Sequence, residues 1–179
     1  MNKFLLGLLL YALSSFTPNS GSNNNILVGT IVDSIPLGTI TADIDGIPTS
    51  FSYAIRTYSM SPALYGFSIF GDYAEKSKDF ISIGILSLHY PVNTGLYADS
   101  TDVANSFKAS ITYGHGYEHD YHTYSTEKPP YGAKIILTYI DSTHLEGTFS
   151  GEVVDVDTTK AHIIKNGKFN VRITGYPFR

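Results

Sequence analysis

Three imidazoles and two carboxylates fall within eight consecutive residues of this chain: His115, Glu118, His119, Asp120 and His122. Neutral imidazole nitrogens and carboxylate oxygens are ligands for zinc and copper, so a metal site here would use His115, His119 and His122. Its affinity would fall with pH, because each ring must shed its proton to bind. The spacing suits no rigid element. Positions three apart on a strand face opposite ways, and the helical H-E-x-x-H arrangement is absent. The cluster therefore reads first as the polar tip of a long loop between a strand ending at Tyr113 and one starting near Ala133, with the metal site as the sharper alternative.

The same stretch carries Tyr117, Tyr121, Tyr124 and Tyr131 among polar neighbours. An exposed row of amphipathic rings would stack on sugar faces or dock an envelope protein, and so long a loop is more often functional than a short turn. The plainer expectation for most of the fourteen tyrosines is a place at the core's border, with the hydroxyl at its wet edge. Acidic pairs stand at Asp43/Asp45, Asp99/Asp102 and Asp155/Asp157, but none continues into a calcium-binding EF-hand loop, and solvated turns account for them. No catalytic motif stands out. Gly66-Phe67-Ser68-Ile69-Phe70-Gly71 has the wrong spacing for a nucleophile elbow, and there is no cysteine, Walker loop or dinucleotide fingerprint. The reading is of a protein that is not an enzyme.

These residues must be held by a β framework. Tyr, Phe, Ile, Val and Thr dominate, and short alternating segments recur about every ten positions, the pattern of a sandwich or barrel. Asp45-Gly46 between residues 39–44 and 47–53 marks a hairpin, since a tight two-residue turn needs positive φ. Residues 64–70 and 80–88 follow, with Ile81, Ile83 and Ile85 on one face; Phe107, Ala109, Ile111 and Tyr113 alternate likewise. Residues 134–140 are nearly continuous in Ile, Leu and Tyr and read as a central strand buried on both faces. Residues 144–155 place Leu145, Gly147, Phe149, Gly151 and Val153 on one side. A closing hairpin is expected around Asn166-Gly167, and residues 100–106 hold at most one helical turn. The expectation is an antiparallel β-sandwich of eight to ten strands, with a small closed, lipocalin-like barrel as the alternative.

At the N-terminus, Lys3, the apolar residues 4–13 and Ser14-Ser15 read as a signal peptide over residues 1–16, too short for the ~20 residues a membrane span needs. Residues 17–25, rich in Asn, Ser and Gly, read as a flexible spacer, and residues 26–179 as one all-β domain. The expected destination is the periplasm, the outer cell surface or the medium. Phe16 stands where a lipidated cysteine would follow Leu13-Ser14-Ser15, and without cysteine no thioether lipid anchor can form. A net charge of −4 and a pI near 5.8, without basic runs, argue against nucleic acid and anionic membrane surfaces as partners.

Leu145-Glu146-Gly147-Thr148-Phe149-Ser150, then Ile164-Lys165-Asn166-Gly167-Lys168-Phe169-Asn170-Val171, with Ala42-Asp43-Ile44-Asp45-Gly46 upstream, resembles an uncharacterised family of exported Bacteroidetes lipoproteins. The likeness covers residues 40–173. Ile47-Pro48-Thr49 departs from it where a tryptophan often follows the glycine. The resemblance implies a cell-envelope β domain and supplies no catalytic residue. The functional expectation is a non-catalytic binding module for a glycan or protein partner. The alternatives are a lipid or small-molecule carrier with an internal cavity and a metal-binding protein.

Overall fold

The computed structural model describes residues 35–59, 65–75, 77–87, 90–98, 107–117, 120–126, 132–155 and 160–174. The signal peptide, the spacer, Asp99, Asp102, the helical turn at 100–106, Glu118, His119, Tyr131 and Asp157 lie outside them, as do the side chains of Tyr117, Asp120 and Tyr121. Residues Asp33–Arg179 form one compact unit. Among the described residues no helix is long and apolar enough to cross a membrane.

Eleven strands are described: β1 Thr39–Ile44, β2 Ile47–Phe51, β3 Tyr53–Ser59, β4 Gly66–Asp72, β5 Phe80–Ser87, β6 Gly95–Ala98, β7 Phe107–Tyr117, β8 Asp120–Ser125, β9 Ala133–Ile140, β10 His144–Asp155 and β11 Ala161–Arg172. They form one antiparallel sheet in the order β2-β1-β11-β10-β8-β7-β5-β4-β3, with β9 and β6 branching from β10. The sheet is nearly closed and barrel-like, the alternative to the sandwich.

The chain itself spans the seam. The two ends of the path, β2 and β3, are joined through the single residue Ser52. Beyond β11, Thr174 binds the buried Thr57 of β3: the Thr174 N–H donates to the Thr57 carbonyl at 2.9 Å, and the Thr57 N–H donates to Thr174 Oγ1 at 3.0 Å. Around β10 the partner changes along the strand. β9 pairs with its first half and β8 with Val154 and Asp155.

Period-two alternation delivers the core. Ile81, Ile83 and Ile85 of β5, Ala109, Ile111 and Tyr113 of β7, and Leu145, Phe149 and Val153 of β10 all point inward. Phe67 of β4 meets Phe169 of β11 at 6.4 Å between ring centroids, and Phe149 meets Phe169 at the same separation, so opposite walls touch through their rings. The Asp45-Gly46 turn has φ of 51° and 82°, as the hairpin reading requires.

Three local expectations are corrected. Residues 114–117 and 120–125 are strand, not loop: β7 runs to Tyr117 and β8 pairs back along it, with Tyr113 opposite Tyr124 and His115 opposite His122. No apolar face marks this extension, so the alternation that betrays a half-buried strand is missing. β9 is buried on one face only, with Lys134, Ile136 and Thr138 exposed. Asn166-Gly167 makes no hairpin. β11 continues through it, and one extra residue on β11 between the pairs Phe149–Gly167 and Gly151–Ile164 forms a bulge with Asn166 at φ 52°. An Asn-Gly pair with positive φ serves a bulge as readily as a turn, and unbroken pairing to β10 and β1 selects the bulge here.

A Cβ on Gly167 would lie 2.5 Å from the Phe149 carbonyl oxygen and 2.7 Å from its ring. Gly167→Ala is expected to cost about 2–3 kcal/mol and lower Tm by roughly 5–10 °C. Gly46→Ala, where nothing lies within 4 Å and only positive φ is strained, is expected to cost about 1–2 kcal/mol. Thermal denaturation of the two variants side by side checks this ordering.

Candidate functional site

β1, β4, β7 and β10 end, and β2, β5, β8 and β11 begin, at one end of the barrel. There the inward face of β7 and β8 continues past the core as His115 and His122. Among the described imidazoles at this end, Nδ1 of His115 is hydrogen-bonded to Asp79 at 3.0 Å and Nδ1 of His162 to Asp45 at 2.6 Å, while Nδ1 of His122 lies 2.6 Å from the buried Asp155 Oδ2. Two of the carboxylates also accept backbone N–H groups, Asp79 from Gly116 at 3.2 Å and Asp45 from Ile163 at 2.8 Å. A carboxylate on Nδ1 keeps the proton of the neutral ring there and leaves Nε2 as an acceptor.

The rings are held by aromatic neighbours. Tyr113 stacks on His115 at 5.9 Å and meets His162 edge-on at 5.5 Å, while Tyr124 meets His162 edge-on at 4.3 Å. Phe51, fully buried, backs both Tyr113 and Tyr73. Tyr73 and Asp79 sit on the β4–β5 connection, which is braced by its own bonds: the Tyr73 N–H donates to the Asp79 carbonyl and the Asp79 N–H to Ser77 Oγ. Between them opens a cleft of about 250 Å³, lined by Ile44, Asp45, Ile47, Thr49, Phe51, Tyr73, Asp79, Tyr113, His115 and His162.

Burial pushes the Tyr113 phenol up to about 12, helped by the nearby Asp79, Tyr124 and Asp45. At Asp45, burial raises the carboxyl, but the Ile163 N–H and His162 outweigh it and hold the group below its ordinary value.

Several expected site residues are repositioned. Tyr124 is 3% exposed and belongs to the core, so it offers no ring to a partner. His115 and His122 are directly opposite, yet each is paired to a different carboxylate, Asp79 on the β5 side of β7 and Asp155 on the β10 side of β8. Among the described residues no three His, Asp or Glu side chains are placed to hold a metal ion. Asp155 is no solvated loop acid, being 3% exposed beneath His122, and Asp45 is more than a turn residue. His162, Asp79, Tyr73 and Phe51 were not singled out by spacing. The Asp45–His162 pair spans 117 residues, a separation that carries no local signal.

Comparison with known proteins decides nothing further. No protein family, curated protein or solved structure matches the chain. The chemistry of the cleft must be read from its own side chains: carboxylates, imidazoles and rings, with no hydroxyl nucleophile set against a base. The one aliphatic hydroxyl in the lining, Thr49 Oγ1, donates to the Ile47 carbonyl at 3.1 Å.

Two pH effects follow. Between pH 10 and about 12 the unfolded chain ionises its Tyr113 equivalent while the fold keeps the proton, so stability falls by about 2–3 kcal/mol from this group. Tyr113→Phe is expected to flatten that alkaline decline in Tm. Asp45 acts at the other extreme: its contribution is present above 3.8 and is lost as pH falls through its lower folded value. The Tm gap between wild type and Asp45→Asn should therefore close on acidification, as a melting series from neutral pH downward would show.

Proposed function

We propose that this chain is an exported, non-catalytic binding module that takes a small ligand in the cleft at the barrel end. The observation that carries the reading is the cleft itself: about 250 Å³, walled by Tyr73 and Tyr113 over Phe51, with Asp45, Asp79, His115 and His162 turned to it. An apolar, aromatic wall with a few convergent polar groups is how small-molecule sites combine affinity with orientation. The N-terminal pattern of Lys3, apolar residues and Ser14-Ser15 supports export, and the resemblance to envelope lipoproteins supports the same setting.

Of the ligand classes raised by the chain, a small molecule at the barrel end has the best physical support. A large lipid held inside the barrel would compete with Phe67, Phe149 and Phe169, which already meet across the interior. A glycan or protein docked on the row of tyrosines from 117 to 131 would lack Tyr124, which faces the core. A metal carried by His115 and His122 would find no third His, Asp or Glu placed to complete its shell among the described residues.

Tyr73 is 52% exposed, so truncating it leaves the core intact. Ligand-observed NMR screening of amines, monosaccharides and aromatic acids against the wild type and Tyr73→Ala tests the site. Hits weakened about tenfold or more by the substitution are expected, as for loss of an aromatic anchor. Hits that bind both proteins equally, or no hits at all, would overturn the reading.

A further inference from the structure

We infer that the cleft selects a small organic ammonium ion, a protonated amine or quaternary nitrogen carried on a short apolar body. This rests on the cleft being the ligand site and adds the ligand's charge and hydrogen-bonding character.

The lining is dominated by acceptors. Asp45 and Asp79 contribute carboxylates, and in the neutral form of His115 and His162, whose Nδ1 atoms are turned to those carboxylates, Nε2 is a further acceptor. Thr49 spends its proton on the Ile47 carbonyl and so presents only lone pairs. The donors left among the lining side chains are the phenols of Tyr73 and Tyr113. A ligand that satisfies such a surface must give more hydrogen bonds than it takes. An ammonium donates up to three and accepts none. A sugar hydroxyl brings an acceptor with every donor and would leave lone pairs facing lone pairs.

Charge selects the same way. The lining contains no Lys or Arg, and the groups on Asp45 and Asp79 are imidazoles and backbone N–H groups, which hold the carboxylates in place without a permanent opposite charge. An anionic ligand would meet two carboxylates and no cation. At Tyr113 burial is the chief reason the phenol holds its proton, and Asp79 and Asp45 add a repulsion of negative charge that a cation would not meet. The rings complete the selection. Tyr73 stands at 76° to Phe51 and Tyr113 at 79°, giving ring walls steeply inclined to a buried floor, and ring faces attract cations. Ile44 and Ile47 supply the apolar contact for the rest of the molecule, Ile47 being 67% exposed at the mouth.

The test compares two probes of nearly the same shape, 2-phenylethylammonium chloride and neutral 2-phenylethanol, by isothermal titration of the full chain at neutral pH. The ammonium is expected to bind about tenfold or more tightly than the alcohol. Asp79→Asn keeps an oxygen for the Gly116 N–H and removes the charge; it should weaken the ammonium about tenfold and leave the alcohol unchanged. Its Tm reports whether the fold is retained. If alcohol and ammonium bind equally and both are lost in Tyr73→Ala, the cleft remains the site and the charge inference falls. Ammonium binding that is indifferent to both substitutions would place it elsewhere and overturn the inference. Failure of both probes to bind would overturn it together with the assignment of the cleft.

Discussion

The close approach of the Phe149 ring to the backbone of Gly167 is the contact on which the rest of the barrel depends. β11 is the structural hub: it pairs with β1 on one side and β10 on the other, and its continuation reaches β3. A twelve-residue strand is roughly 40 Å long if straight, too long to follow a small barrel without a break in its regularity. The extra residue at Asn166 supplies the bend. Asn166 Nδ2 donates to Asp43 at 2.6 Å, tying the bulge to β1. With no side chain at Gly167, Phe149 lies directly on the bent strand. Gly147 does the same for Phe169, since a Cβ there would come within 2.5 Å of that ring. Two glycines facing two phenylalanines thus let the wall curve while the interior stays filled.

The cleft is a consequence of that curvature. Bending β11 carries its first residues over the barrel mouth, where the Asp45 N–H donates to the Ile163 carbonyl, the Ile163 N–H donates back to Asp45, and His162 lands on the edges of Tyr113 and Tyr124. The β1–β2 turn and β11 are thereby joined by two hydrogen bonds and an imidazole–carboxylate pair. On the opposite side of the cleft, the self-bonded β4–β5 connection presents Asp79 to His115 and Gly116. Both carboxylates are oriented by N–H donors at fixed backbone positions, so their negative charge is held at defined places. Stability and binding chemistry use the same bonds here. Removing an imidazole would disturb the proposed ligand surface and also release a connection between strands.

Much of the fold was legible along the chain because one-sided burial writes itself as alternation. Ile81, Ile83 and Ile85, or Leu145, Gly147, Phe149 and Val153, need no tertiary knowledge to be assigned to one face. The Asp45-Gly46 turn was equally plain, its geometry depending only on two residues at positive φ. Legibility failed where a strand leaves the core. β7 beyond Tyr113 alternates His115 with Gly114 and Gly116, and β8 sets His122 beside Thr123, so no apolar face marks the extension and the same composition is found in a loop. β3 was missed because its bulge near Ala54, at φ 46°, breaks the alternation.

The sequence by itself determined the class of structure, one antiparallel β domain with a core of Ile, Phe, Leu and Val, because period-two burial is a local property of neighbouring residues. Composition also set the acidic balance and excluded any disulfide or thioether, there being no cysteine. Only the tertiary structure decided that Asn166-Gly167 bends a strand instead of ending one, since that depends on β1 and β10 remaining paired on either side. It alone brought Asp45 to His162, Asp79 to His115 and Asp155 to His122, pairs separated by 117, 36 and 33 positions along the chain. A cluster assembled across such distances has no local signature, because what defines it is the closure of the barrel and not the order of its residues.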